Sequence, residues 1–263
     1  MNLKMELYVQ EFGLNQPSSI VFIHGGGLSG WMWDRQVKDL SDFHCLVPDL
    51  PEQGKSLDVT PFSIKASAEQ IAKLIKSRAH GGKAHVVGHS IGAQIVVQLL
   101  SSSPEVVDYA IVNSALIRRI PGMNSLIKPT VKLTIPLTRS KWFAKLQAKA
   151  LGVPDDYFDR YFNDSKSITA DSLEHILTEN ATFSLPKRLK FSTVPTLILV
   201  GQKEKGIMHS SAKDLVSSIP NSKGYVVKGV GHSFSFEEPE LYSSIIRAWL
   251  TDQKLPTDRL DAF

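Results

Sequence analysis

Residues 84–93, Ala-His-Val-Val-Gly-His-Ser-Ile-Gly-Ala, carry the pattern best suited to covalent chemistry. A serine stands with glycines two positions to either side, between a short apolar run and a helical apolar pattern at Ile95, Val96, Leu99 and Leu100. A strand that turns this sharply into a helix has no room for a Cβ at Gly88 or Gly92, and it holds Ser90 in a strained conformation with Oγ exposed at the strand's carboxyl edge. The first helical turn then sets the Ile91 N–H and the positive end of the helix dipole beside that oxygen. Ser90 is therefore the expected nucleophile and Ile91 one donor of an oxyanion hole. The same pattern also occurs as a plain small-residue turn, so the reading depends on the remaining parts arriving in order.

Two other stretches supply such parts. Ile20-Val21-Phe22-Ile23 runs into His24-Gly25-Gly26-Gly27-Leu28-Ser29-Gly30. Glycines after a buried strand let backbone N–H groups face a cleft, as an oxyanion site requires. A phosphate-binding loop is the rival, but neither G-x-x-x-x-G-K-[ST] nor a full G-x-G-x-x-G opening a helix is present, and His24-Gly25 fits the HGGG type. Gly26 is the expected second donor, and His24 an orienting residue for its loop. Near the other end, a strand over 224–228 leads into Gly229-Val230-Gly231-His232. Of the eight histidines, His232 alone follows the last strand, where glycines let it reach out; it is the expected base. His85 falls inside a core strand, His89 belongs to the serine turn, and His44, His80, His175 and His209 read as surface or packing.

These residues need a scaffold, and the order of elements describes one. Alternation from Leu3 to Val9 suggests an edge strand. Buried runs at 20–23, 43–47, 84–87, 109–113 and 196–200 alternate with helical patterns over 31–40, 64–75 (capped by Ser63 or a neighbour), 91–100 and 209–218, and a last helix covers 240–250. That alternation gives an α/β fold: a mostly parallel sheet with helices on both faces and ligands at the carboxyl ends of the strands. The tail over 253–263 is polar and reads as a fraying end.

Composition agrees with one large core. The chain has 263 residues, 42% of them hydrophobic and 21% charged, and a single cysteine, Cys45, which excludes an internal disulfide framework and a cysteine-rich metal site. The beginning of the chain shows no apolar signal region and no apolar run approaches 18 residues, so a soluble, cytoplasmic protein without an integral membrane segment is expected. A net charge of +4 without an arginine-rich helix gives no reason to expect nucleic acid as a partner.

Taken together, residues 20–31, Asp49-Leu50-Pro51-Glu52-Gln53-Gly54-Lys55-Ser56, residues 88–92, 196–205 and 229–236 resemble the α/β-hydrolase superfamily in its carboxylesterase-like branch. The resemblance implies a Ser-acid-His triad whose acid is the third residue after Gly201, here Glu204 where Asp is usual, with Asp214 as the fallback. Asn113 and Ser114 occupy the other place where a catalytic acid sometimes stands, and neither is a carboxylate. Glu52-Gln53 departs from the Gly-His or Gly-Phe pair often found there. Between the core segments 1–115 and 189–263, residues 116–188 lack strand runs, and Pro121, Pro129, Pro136 and Pro154 divide them into helical pieces such as 139–150, 155–163 and 170–182, the last capped by Thr169. This is the pattern of an inserted helical cap, which the resemblance also implies. It is basic, with 13 Lys/Arg against 7 Asp/Glu from Arg118 to Lys190. Trp142, Phe143, Leu146, Tyr157, Phe158, Tyr161 and Phe162 are expected mostly to pack it on the core, with one or two lining an acyl pocket.

The expected activity is hydrolysis of carboxylic esters of small or medium acyl chain by Ser90, His232 and Glu204 through an acyl-enzyme, calling for no cofactor and no metal. The expected partner is a small-molecule ester, with the chain a monomer or homodimer. Hydrolysis of C–C bonds or lactones would use the same triad. A ligand-binding regulator that keeps the fold with little turnover is the alternative from another class.

Overall fold

The computed structural model describes residues 6–120 and 122–263. Among these residues, eight strands form one sheet: β1 (Val9–Phe12), β2 (Ser19–Ile23), β3 (His44–Pro48), β4 (Ala84–His89), β5 (Val107–Asn113), β6 (Thr196–Gly201), β7 (Ser222–Val227) and β8 (Leu260–Ala262). Their order is β1-β3-β2-β4-β5-β6-β7-β8. Pairing is parallel from β3 to β7, and the two edge strands run antiparallel to their neighbours.

The helices are α1 (Asp34–Asp39), α2 (Ile64–Arg78), α3 (Ile91–Ser102), α4 (Met123–Thr134), α5 (Lys141–Ala150), α6 (Phe158–Ser167), α7 (Ala170–Thr182), α8 (Gly206–Ser218), α9 (Phe234–Glu237) and α10 (Pro239–Leu250). The α/β architecture is the one the alternation implied. Strand periodicity divides the core between the two faces of the sheet. Val21 and Ile23 of β2 pack with Ala68 and Ile71 of α2, Val96 of α3 and Leu215 of α8, whereas Ile20 and Phe22 pack on the opposite face with Trp33 and with Tyr242 and Ile245 of α10. Cys45 is buried on that second face. Each valine, leucine, isoleucine or phenylalanine among them, fully buried, contributes roughly 1.5–3 kcal/mol.

Both capping expectations hold. Ser63 Oγ accepts a hydrogen bond from the Ala66 N–H at 3.1 Å, and Thr169 Oγ1 accepts one from the Ser172 N–H at 3.1 Å. Other boundaries move. The first strand lies at Val9–Phe12, because the β3 ladder pairs Val9 with Pro48 and Phe12 with Cys45; Leu3 and Met5 of the expected strand lie outside the described residues, as does Pro121. The segment after Gly30 begins as a 3-10 turn, Gly30–Trp33, before α1. The tail does not fray: β8 pairs with β7, Leu260 is buried, and the Phe263 ring fills the space beside Gly224, where a Cβ would approach it to 2.6 Å. A small residue on β7 thus provides the seat for the chain's last aromatic, which polarity alone concealed.

Among the described residues, four α-helices, α4 to α7, stand between β5 and β6. Ile127 and Val131 of α4 pack with Ala181, Leu173 and Leu177 of α7, and Ala144 and Ala148 of α5 join the cluster that holds Tyr157 and Tyr161.

Candidate active site

Ser90 sits between β4 and α3 with φ 55° and ψ −116°, the left-handed strain expected of a sharp strand-to-helix turn. Its N–H donates to the Asn113 carbonyl at 2.9 Å. The flanking glycines are required sterically. A Cβ on Gly88 would come within 2.5 Å of the Gly92 carbonyl oxygen, and one on Gly92 would overlap the carbonyl oxygen of Ile23. The turn is thereby pressed against the end of β2.

His232, in the loop after β7, meets it. Ser90 Oγ lies 3.1 Å from His232 Nε2, and His232 Nδ1 lies 2.7 Å from Glu204 Oε2. A carboxylate only accepts, so Nδ1 carries a proton and Nε2 faces the serine as an acceptor. Glu204 follows β6, and its side chain is 2% exposed. Oε1 takes two further donors, Ser114 Oγ at 2.7 Å and the Gly201 N–H at 2.9 Å. Burial opposes ionisation of this carboxyl, but the hydrogen bonds and charge of His232, with Ser114 and Gly201, outweigh it and hold its pKa below the usual carboxylate value. Asp214, by contrast, pairs with Arg118 at the surface.

Gly26 lies beside the first turn of α3: a Cβ there would be 3.6 Å from Ile91 Cγ2. Within the glycine loop, the Gly25 N–H is directed at Met32 Sδ and the Gly27 N–H donates to Gln53 Oε1 at 2.8 Å. Among the described residues no such acceptor is found for the N–H of Gly26 or of Ile91, and both residues line one cavity with Ser90 and His232. His24 orients the loop. Its Nδ1–H donates to the Gly25 carbonyl at 2.8 Å and its Nε2 accepts the Leu50 N–H at 2.9 Å, which defines a neutral ring; burial lowers its pKa accordingly. Burial, then the nearby His232, also keeps His89 neutral, its ring centroid 4.9 Å from that of His232.

The cavity has a volume of about 340 Å³. Leu151, Ile168, Leu173, Ile176 and Leu177 of the helical segment supply apolar wall, and Tyr161 is the one expected aromatic among the lining residues. Its carboxyl-bearing lining residues are Glu52 and Asp164; no Lys or Arg lines it among the described residues. Asp164 Oδ2 accepts from Ser29 Oγ at 2.7 Å and from Trp31 Nε1 at 2.6 Å, fastening α6 to the glycine loop, and burial raises its pKa. The buried Glu52 accepts the Phe62 N–H at 3.1 Å and lies 3.0 Å from His175 Nδ1 on α7.

The roles of five of these residues have no place in the sequence reading: Gln53 holding the glycine loop, Asp164 and the Glu52–His175 pair tying loops to helices, and Ser114 supporting Glu204. Glu52-Gln53 had a signal, as a departure from the expected pair, and Ser114 had one, as an occupant of the other acid position. Asp164 and His175 had none. Trp142 and Leu146 depart from the expected packing role, being 74% and 55% exposed, since α5 turns Ala144 and Ala148 inward instead.

With this geometry in view, comparison with known proteins is informative. The model of a family described as the alpha/beta hydrolase family matches residues 20–245. A protein of Gibberella zeae named AB hydrolase superfamily protein is 30% identical over 250 residues, covering 90% of this chain and 82% of that one. Lipase LipV of Mycobacterium tuberculosis is 31% identical over 101 residues, 38% of each chain. A thermophilic esterase from Thermogutta terrifontis superposes with a TM-score of 0.77 at 21% identity, over 94% of this chain and 93% of its own; at that identity the likeness is one of fold.

Proposed function

Because this chain belongs to the alpha/beta hydrolase family, we propose that it is a serine hydrolase cleaving carboxylic esters of small or medium acyl chain, with Ser90, His232 and Glu204 as its triad. The observation that carries the proposal is the continuous hydrogen-bonded line from Ser90 Oγ through His232 to Glu204.

The mechanism follows from that line. His232 Nε2 takes the Ser90 proton as Oγ attacks the ester carbonyl. The ionised Glu204 holds the imidazole in the required tautomer and stabilises the imidazolium. The Gly26 and Ile91 N–H groups receive the negative charge that develops on the carbonyl oxygen, where one donor is typically worth roughly 3 kcal/mol. His232 then returns its proton to the departing alcohol. A water molecule repeats the sequence on the acyl-enzyme and releases the acid. Residues 116–188 act as a cap whose leucines and isoleucines bound the acyl pocket.

The charge of the lining narrows the substrate. With the carboxyl groups of Glu52 and Asp164 on the cavity wall and, among the described residues, no Lys or Arg lining it, an acyl group ending in a carboxylate meets like charge in a site of low dielectric. Steady-state hydrolysis of p-nitrophenyl butyrate and of mono-p-nitrophenyl succinate compares esters of equal chain length. The expected result is turnover of the butyrate, with kcat/KM lower for the succinate by on the order of tenfold or more. Equal kcat/KM for the two esters would overturn the charge assignment. A burst of nitrophenol followed by negligible turnover would overturn the esterase reading itself.

A further inference from the structure

The basic charge of the helical segment is absent from the cavity and lies on its outside. From position 109 to 154 the chain contains eight Lys and Arg residues and no Asp or Glu. Six of the ten exposed large apolar side chains among the described residues fall between positions 126 and 151. Leu126, Leu133, Trp142 and Leu146 are 60%, 73%, 74% and 55% exposed. On α5, Trp142, Lys145, Leu146 and Lys149 are spaced three and four apart and share one face. On α4, Leu126 and Leu133 are separated by two turns, opposite the buried Ile127 and Val131 that pack on α7. Two consecutive helices thus present water with large apolar groups set among cations, the arrangement of helices that lie in a lipid interface.

We propose that the exposed faces of the consecutive helices α4 and α5 dock on an anionic phospholipid bilayer, with Trp142 and the leucines entering the headgroup region and the lysines meeting lipid phosphates. Charge complementarity selects this occupant. A second copy would oppose one cationic face with another, because a two-fold interface sets a patch against itself. Nucleic acid would satisfy the cations but leave the leucines uncovered. The same stretch of chain supplies Thr138, from the 3-10 turn that joins α4 to α5, Gln147 of α5 and Leu151 just after it to the cavity wall, so a docked bilayer lies about one helix diameter, roughly 10 Å, from the cavity. The docking is independent of which bond the site cleaves.

Co-sedimentation of the full chain with vesicles of mixed phosphatidylglycerol and phosphatidylcholine, against phosphatidylcholine alone, tests the proposal. The expected result is binding to the anionic vesicles that weakens as salt is raised. The paired changes Leu133→Ser with Trp142→Ser, and Lys132→Glu with Lys149→Glu, should each reduce it by on the order of tenfold or more, with an unchanged melting temperature and unchanged hydrolysis of a water-soluble ester. Any of these results would overturn it: no binding by the native chain, equal binding to phosphatidylcholine alone, binding undiminished in either paired variant, or dimerisation through this face that those variants abolish. Tighter binding of the face to duplex nucleic acid than to the anionic vesicles would overturn it as well.

Discussion

Ser90→Ala is expected to lower kcat for ester hydrolysis by about 10⁴-fold or more while leaving the fold intact. The large loss follows from removing the only atom that forms the covalent intermediate; what survives comes from the oxyanion donors and from substrate binding. The intact fold follows from how the turn is held. The contacts of residue 90 that fix it are made by the backbone, its N–H to Asn113 and its carbonyl to the Gln94 N–H, and alanine keeps both. Steady-state kinetics with a melting curve for the same preparation checks the two halves together. Activity within tenfold of the native chain would remove Ser90 from the mechanism.

Glu204→Gln is expected to cost about 10³- to 10⁴-fold in kcat, more than the loss of one hydrogen bond would suggest. Ser114 Oγ and the Gly201 N–H both donate to Oε1, so a glutamine here keeps its carbonyl oxygen toward them and turns its amide NH₂ toward His232. Nδ1 must then accept, the ring proton moves to Nε2, and the atom facing Ser90 no longer takes a proton. The variant also changes stability against pH. The Glu204 carboxyl is held below its ordinary value, so the ionised form favours the folded state at and above the unfolded-chain pKa. That contribution is lost as pH falls through the folded value. Glutamine has no such titration, so the acid side of the native stability profile is expected to flatten in the variant. A kcat within a few-fold of the native value would contradict the tautomer argument, and an unaltered acid profile would contradict the linkage.

What could be read from the sequence was whatever local sterics impose. The glycines around Ser90 mark a turn that must clear the end of β2, and the buried runs around it mark a parallel sheet, so the strand–turn–helix reading needed no partner from elsewhere in the chain. The place of His232 was legible because a loop histidine after the last parallel strand, β7, has a restricted place to point; the strand β8 that follows it in the chain was not expected. The roles of Asp164 and of the Glu52–His175 pair were not legible, because they exist only once residues more than a hundred positions apart meet, as Asp164 does with Trp31 and His175 with Glu52; Gln53 was marked only as a departure from a family pair, and its role waits on the loop that brings it to Gly27. Ser114 was passed over because the position was searched for an acid, and its role is to support one. Trp142 and Leu146 misled for another reason: helical periodicity marks an apolar face but does not reveal whether protein covers it. The tail showed the converse, since Phe263 has a partner in the space left by Gly224.

The central claim is that Ser90 is made nucleophilic by His232. Reaction of the folded native chain with a fluorophosphonate, followed by peptide mapping, measures this most directly. The predicted result is one adduct, on the peptide that contains Ser90, formed at least about a hundredfold more slowly in His232→Ala. An adduct on another residue, or none on protein shown to be folded, would contradict the account.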